Sequence, residues 1–371
     1  MISSKRTIAV ITGTRAEFGL LRPVMRAIRD HPSLNLHTLV TGTHLLAPAN
    51  TLNEVAAEFD IAARIAMQQP GESGRERDAL ALGRGIEAFA QQFAQSPPDF
   101  ALVLGDRIEA FAAAIAAAVA GIRVAHMHGG DRAEGIADES LRHAISKLAH
   151  LHLPATETSA HRLIAMGEEP QRVHVVGSPA IDDIDATPPL PDQAFRELGE
   201  PRIVALLHPT GEDDAMEHDR AARLLAICRQ SAPTLSLHPN HDAGRGGILR
   251  AIEQSPVKQR AHLPRAQFLG LLRRARVLVG NSSAGLIEAA AIPIWSVNVG
   301  RRQSGRERAG NVIDVENWDY QTIEQAIRRA LDQPIGRIAH PFGDGRTGAR
   351  VADLLATIPP DALPLRKRNT Y

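Results

Sequence analysis

Thr7-Ile8-Ala9-Val10-Ile11-Thr12-Gly13-Thr14-Arg15 is the first regular stretch of the chain, and a helical pattern over residues 16–29 follows it directly. A short β-branched run, a turn containing glycine and then a helix make the opening of a nucleotide-binding α/β unit. The glycine lets the backbone turn tightly, and the start of the helix offers free N–H groups to an anion. The full G-x-G-x-x-G spacing is absent, so as a dinucleotide fingerprint the stretch is weak. Outward from this stretch the alternation continues. Strands are expected at 36–41, 100–104, 122–125, 151–153 and 173–176, and helices at 50–59, 78–95, 108–120, 138–149 and 159–166. Residues 108–120 are almost wholly apolar yet too short to span a bilayer, so they read as a helix buried against a sheet. Thr187-Pro188-Pro189-Leu190-Pro191 breaks the pattern. It then restarts, with strands at 203–207, 234–237, 277–279 and 294–297 and helices at 215–230, 265–275 and 285–291. Such alternation implies parallel strands with right-handed crossovers. The expected fold is α/β, two Rossmann-like doubly wound domains facing a cleft. The expected domains are residues 1–186 and 187–371, with the tail 359–371 either packing back on the first or fraying.

Composition narrows the function. A chain of 371 residues suits about two domains. The 42 basic and 42 acidic residues balance, so no global field draws nucleic acid or a membrane surface; anion binding has to be local. Aromatics at 4% argue against base-stacking platforms. The single cysteine, Cys228, excludes an intramolecular disulfide, and its place in the helical run 221–230 points to packing rather than a reactive thiol. Residues 1–7 are polar before a short apolar strand, which is neither a signal peptide nor a membrane span, and a cytoplasmic enzyme is expected.

Polar loops fall at the carboxyl ends of the expected strands, where doubly wound sheets bind ligands. The richest runs from His126 to His143, with three imidazoles, four carboxylates and two guanidiniums around Gly129-Gly130. His126 and His128 alternate at a strand end and are expected to point the same way. Asp138 with Arg142, and Glu139 with His143, are four apart on one helix; they make either surface ion pairs or a cleft lining of acid, base and anchor. His126, His128 and Asp131 could ligate zinc, but no spaced ligand signature repeats, so no metal is expected. Gly280-Asn281-Ser282-Ser283-Ala284-Gly285 fits a phosphate cradle or an ordinary serine helix cap. Glu288, one turn on, suits a ribose diol or is surface charge. The loop from Arg301 to Arg308 carries four arginines, and Arg15 and Arg107 stand at strand ends elsewhere. Arginine forks suit diphosphate oxygens, though a solvated basic loop has the same composition.

Six motifs occur in the order found in the UDP-N-acetylglucosamine 2-epimerase family. They are Thr12-Gly13-Thr14-Arg15-Ala16-Glu17-Phe18-Gly19-Leu20-Leu21, Gly105-Asp106-Arg107, the 126–143 loop through Arg142-His143-Ala144-Ile145-Ser146-Lys147, His238-Pro239-Asn240, Gly280-Asn281-Ser282-Ser283, and Arg302-Gln303-Ser304-Gly305-Arg306-Glu307. The first motif resembles the hydrolysing, sialic-acid-pathway branch. The resemblance implies a glycosyltransferase-B-like domain pair, no cofactor, a UDP-sugar ligand and a homodimer or homotetramer. It places UDP on Arg15, Ser282, Ser283, Glu288 and Arg302, and Asn240 on the sugar side; Arg107, at its strand end, is a further candidate for the phosphates. It assigns catalysis or sugar positioning to Asp106, Asp138, Arg142 and His208. Relatives carry glutamates where this chain has His128 and Asp131, so His128 and Asp131 join Asp106 as candidates for acid and base at C2.

The implied reaction releases UDP and N-acetylmannosamine from UDP-N-acetylglucosamine. The C2 hydrogen is not acidic until UDP departs and C1 gains oxocarbenium character. A base then removes it to give a glycal, and water adds back with the opposite configuration at C2. Three alternatives share the architecture: the same chemistry on a UDP-2,4-diacetamido-2,4,6-trideoxyhexose, a glycosyltransferase, and a non-catalytic nucleotide-sugar sensor.

Overall fold

The computed structural model of the chain describes residues 5–47, 49–72, 74–132, 139–240, 244–368 and 370. It divides into two compact units. Unit 1 comprises Met1–Asp131, Asp138–Asp182 and Phe342–Tyr371; unit 2 comprises Arg132–Ala137 and Asp183–Pro341.

Unit 1 runs β1 (Arg6–Thr12), α1 (Arg15–Asp30), β2 (Leu34–Thr41), α2 (Leu52–Ala56), β3 (Ile61–Ile65), α3 (Arg75–Gln95), β4 (Phe100–Leu104), α4 (Ile108–Val119), β5 (Arg123–Met127), α5 (Glu139–Leu148), β6 (Leu151–Leu153) and α6 (Glu157–Ala165). Its strands form one parallel sheet in the order β3-β2-β1-β4-β5-β6. Side chains alternate across a strand, so an apolar run such as Ile8-Ala9-Val10-Ile11 needs cover on both faces. Ile8 and Val10 pack with Phe18, Leu21 and Met25 of α1, whereas Ala9 and Ile11 pack with Phe89 and Phe93 of α3 and the alanines of α4.

Unit 2 runs α7 (Asp192–Glu197), β7 (Ile203–Leu206), α8 (Asp214–Ser231), β8 (Thr234–Leu237), α9 (Arg245–Gln254), β9 (Lys258–Arg260), α10 (Arg265–Leu272), β10 (Val277–Gly280), α11 (Glu288–Ala291), β11 (Trp295–Val299), β12 (Val312–Val315) and α12 (Tyr320–Asp332). The sheet order, β12-β11-β10-β7-β8-β9, is all parallel and repeats the topology of unit 1. In each parallel sheet the order in which strands are added therefore reverses once, between β1 and β4 in unit 1 and between β7 and β10 in unit 2. Ligands of doubly wound sheets bind beside such switch points.

The final helix, α13 (Thr347–Thr357), returns to unit 1, where Val351 and Leu355 join the core beside α1. Asp182, itself buried, accepts from the Thr347 and Gly348 N–H groups at 3.0 and 2.7 Å and so closes the open start of α13. Beyond it, Arg123 donates to the Leu363 and Pro360 carbonyls at 3.0 and 3.1 Å. A single sequence cut near 187 does not describe this arrangement, because the chain leaves unit 1 and comes back.

Residues 173–176 are not a strand. They form one bridge with β6, His152 to Val173, and the His174 and Val176 N–H groups donate to the His152 and Pro154 carbonyls at 2.9 and 3.1 Å. Pro154 has no N–H to return, so no second bridge forms. The helix expected at 50–59 shrinks to α2. Among the described residues no helix is long and apolar enough to cross a membrane. Cys228 is buried in the core of unit 2, and burial pushes its thiol up to about 12.

Candidate active site

At the switch point of unit 1, Gly105 ends β4 by donating to the Met127 carbonyl at 3.0 Å. Asp106 follows and forms an ion pair with Arg142 of α5. Arg142 is 2% exposed, and its Nη1 also donates to the Asp131 carbonyl at 2.9 Å. One buried guanidinium thus ties the loop after β4, the loop after β5 and α5 together. Asp138, expected to pair with Arg142, lies outside the described residues. Glu139 and His143 make their i,i+4 contact at 3.5 Å.

His126 and His128 do not point the same way. His126 is the last but one residue of β5 and fully buried; its Nε2 contacts the Gly105 carbonyl at 2.7 Å and its Nδ1 the Ser146 hydroxyl at 3.1 Å. Burial above all lowers its pKa to about 3, so the ring is neutral. His128 lies past the end of the strand with φ 60°, which breaks the alternation, and its ring reaches Asp131 and Ser178. The next turn admits no side chain: at Gly130 (φ 77°) a Cβ would sit 2.2 Å from the Ser159 carbonyl. With the ring nitrogens of both histidines held by protein groups, the zinc alternative loses two of its ligands.

Two buried carboxyls lie beneath the Gly13-Thr14-Arg15 turn. Thr14 caps α1 by accepting from the Glu17 N–H at 3.2 Å, and Glu17 reaches back to the Gly13 N–H at 2.7 Å, a variant of the capping box. Burial raises the pKa of Glu17 to about 8, assisted by the charge of Glu109, so Glu17 carries its proton at neutral pH. Glu109 accepts from Gln68 at 2.7 Å and lies 3.6 Å from Arg107. Arg15 is half-exposed and 3.8 Å from Glu54.

At the switch point of unit 2, Asn281 does the joining. Its side chain accepts from the His208 N–H at 2.7 Å and donates to the His208 carbonyl at 2.8 Å, as a neighbouring strand would. Its own carbonyl accepts from Gln303 at 2.8 Å and Arg302 at 3.3 Å. His208 Nδ1 accepts the Asn240 backbone N–H at 3.1 Å, so Nε2 bears the ring hydrogen. Burial and then the Arg302 charge lower the His208 pKa to about 3, which makes it a neutral donor and not an acid. Ser282 caps a 3-10 turn, Ser283–Gly285, through the Ala284 N–H at 3.3 Å. The glycines around it serve packing: a Cβ on Gly280 would meet the Leu206 carbonyl at 2.0 Å and one on Gly285 the Ser296 hydroxyl at 2.3 Å. Glu288 is not surface charge. It begins α11, is 7% exposed and pairs with Arg265 at 3.2 Å.

Of the hubs, Arg265, Ser159, Ser178 and Glu109 were not singled out from the sequence, and Asn281, Gln303 and Ser146 stood in quoted motifs without a role of their own. Glu17 had a signal there, since it stands three residues after Thr14 at a helix start.

The family model described as UDP-N-acetylglucosamine 2-epimerase matches residues 26–356. A Legionella pneumophila protein named UDP-N,N'-diacetylbacillosamine 2-epimerase (hydrolyzing) is 38% identical, with 99% of this chain and 100% of that protein covered. A Neisseria meningitidis UDP-N-acetylglucosamine 2-epimerase is 35% identical, with 88% and 87% covered. Among solved structures, the Methanocaldococcus jannaschii UDP-GlcNAc 2-epimerase in complex with UDP-GlcNAc and UDP is similar in fold at a TM-score of 0.80, with 19% identity and 94% and 99% covered. The two parallel six-stranded sheets with flanking helices thus have the glycosyltransferase-B-like architecture of these enzymes. The chain belongs to the UDP-N-acetylglucosamine 2-epimerase family.

Proposed function

We propose that the chain is a hydrolysing 2-epimerase that converts a UDP-2-acetamido-2-deoxyhexose and water into UDP and the free 2-epimeric hexosamine. The observation that carries this reading is the grouping of Asp106 and Asp131 about buried Arg142 at the carboxyl end of the unit 1 sheet. In this reading UDP leaves first, with its diphosphate steadied by Arg15, Arg107, Arg302, Ser282, Ser283 and the neutral His208 Nε2–H, while Glu288 takes the ribose and Asn240 the sugar side. Asp106 removes the C2 proton to give the glycal. Water then adds its hydroxyl at C1 and passes its proton to the Asp131 carboxylate, which, backed by His128, delivers it to C2 on the opposite face. Asp138 is proposed to complete the carboxylate set.

Two sugars compete. The relative matched over its whole length is named for UDP-N,N'-diacetylbacillosamine, and a second, shorter match for UDP-N-acetylglucosamine. Identity and coverage favour the 2,4-diacetamido sugar as the better substrate, with UDP-N-acetylglucosamine the second reading. The test uses each nucleotide sugar without acceptor in heavy water, followed by proton NMR. The expected outcome is free UDP and a hexosamine of inverted C2 carrying one deuterium there, with kcat/KM about tenfold higher for the diacetamido sugar. UDP release that needs an added acceptor would mark a glycosyltransferase, and tight UDP binding without turnover a sensor.

A further inference from the structure

Ser178 has no part in the chemistry above, yet its hydroxyl ends a line of hydrogen bonds that begins at Asp131. Asp131 Oδ2 lies 2.8 Å from His128 Nδ1, and Ser178 Oγ lies 3.2 Å from His128 Nε2. Asp131 Oδ1 accepts from the Ser159 hydroxyl at 2.8 Å, and Ser159 accepts in turn from Thr156 at 3.1 Å. A carboxylate only accepts, so the His128 nitrogen that faces Asp131 bears a hydrogen. In the neutral ring Nε2 is then an acceptor and needs a donor. Ser178 Oγ already accepts the Ala180 N–H at 3.3 Å as cap of the turn Pro179–Ile181, which leaves its own proton to give. Ser178 is fully buried, and its hydroxyl is the neighbour that meets this nitrogen.

The backbone agrees with this arrangement. His128 has a left-handed φ of 60°, a conformation that a non-glycine residue keeps only where its surroundings hold it. Its N–H donates to the Leu153 carbonyl at 3.2 Å, and the glycine pair that follows is closed in by α5 and α6. The ring is thus held from the backbone, from Nδ1 and from Nε2 together.

We propose that Ser178 is a positioning residue for this reaction: by donating to His128 Nε2 it locks the ring in the orientation that aims Nδ1–H at Asp131, and the ring so held orients the Asp131 carboxylate, a role that rests on the proposed part of Asp131. Without the hydroxyl Nε2 becomes a buried acceptor that has lost its donor, and the ring can turn out of line with Asp131. The bond from Nδ1–H to Asp131 is then weakened, and the carboxylate loses an orienting donor.

The tautomer is read in the resting full-length protein by nitrogen-15 NMR of the histidine rings, with His128 identified by the signal lost in His128→Gln. The expected result is a bare Nε2 and a protonated Nδ1 in the wild type. Ser178→Ala should shift the Nε2 resonance as its hydrogen bond is lost and lower kcat about tenfold with KM within about twofold, and Ser178→Thr, which keeps the hydroxyl, should restore both. A bare Nδ1 in the wild type, or a Ser178→Ala protein with unchanged Nε2 resonance and kcat, overturns the proposal. The tautomer is measured without substrate, so a wild-type protein that turns over neither sugar refutes the proposed reaction while leaving the ring assignment to stand or fall by its own spectrum.

Discussion

Asp106→Asn is expected to lower turnover by about 10²–10⁴-fold, the range typical of a lost general base, while KM for the nucleotide sugar stays within a few-fold. The substitution keeps the shape of the side chain and one oxygen for Arg142, which is buried and would be left uncompensated by a smaller residue. What it removes is the capacity to take the C2 proton. Both UDP release and deuterium incorporation at C2 should therefore fall together, as read by proton NMR in heavy water. Near-full turnover with C2 labelling intact would remove Asp106 from the role of base.

The second large effect concerns stability and lies away from the chemistry. Glu168 is 1% exposed and lies 2.7 Å from Lys147, 2.7 Å from Lys367 and 2.8 Å from His152. Burial alone would raise its pKa; the donors His152, Lys147 and Lys367 outweigh burial and hold it at about 2. Glu168→Ala leaves two ammonium groups facing each other beside the imidazole, and should cost unit 1 about 3–5 kcal/mol, roughly 10 °C in its unfolding midpoint. The sign with pH follows from the depressed pKa. The carboxylate's contribution is complete above the unfolded value of about 4.5 and is lost as pH falls toward 2. Thermal unfolding of the wild type and the variant should differ widely at pH 7 and converge in acid; a constant gap down to pH 2 would contradict this account.

Much of the architecture was legible because its signals are local. The apolar runs of β1, β4, β5, β7, β8 and β10 and the glycine-bearing turns after them gave strand, loop and helix in sequence, and family resemblance supplied the pairing of the two sheets. The edges were only partly legible: β6 was read at 151–153, but β3, β9 and β12 were missed. Lys258-Gln259-Arg260 is a strand with no apolar residue, and β12 ends a sheet with two half-buried positions and one exposed. Such strands are specified by the neighbour they pair with, not by their own pattern. The return of α13 to unit 1 depends on contacts with α1 and Asp182 far away in sequence, which no window reveals. In the candidate site the residue types were readable, but their partners were not. Alternation correctly predicts direction only while a strand lasts, and β5 ends at Met127, one residue before His128. Arg142 pairs with Asp106 because α5 brings it to the loop after β4, a partner far away in sequence that no local spacing reveals.

The return of the chain to its first unit also sets an order of assembly during synthesis. Unit 2 has all its strands once Pro341 has emerged, whereas the apolar face of α1 still waits for α13, and Glu168 for the ammonium of Lys367. The unit encoded first is therefore the one finished last. A nascent chain holds that uncovered helix face through the translation of a whole second sheet, at the cost of an interval in which chaperone capture or aggregation competes with folding.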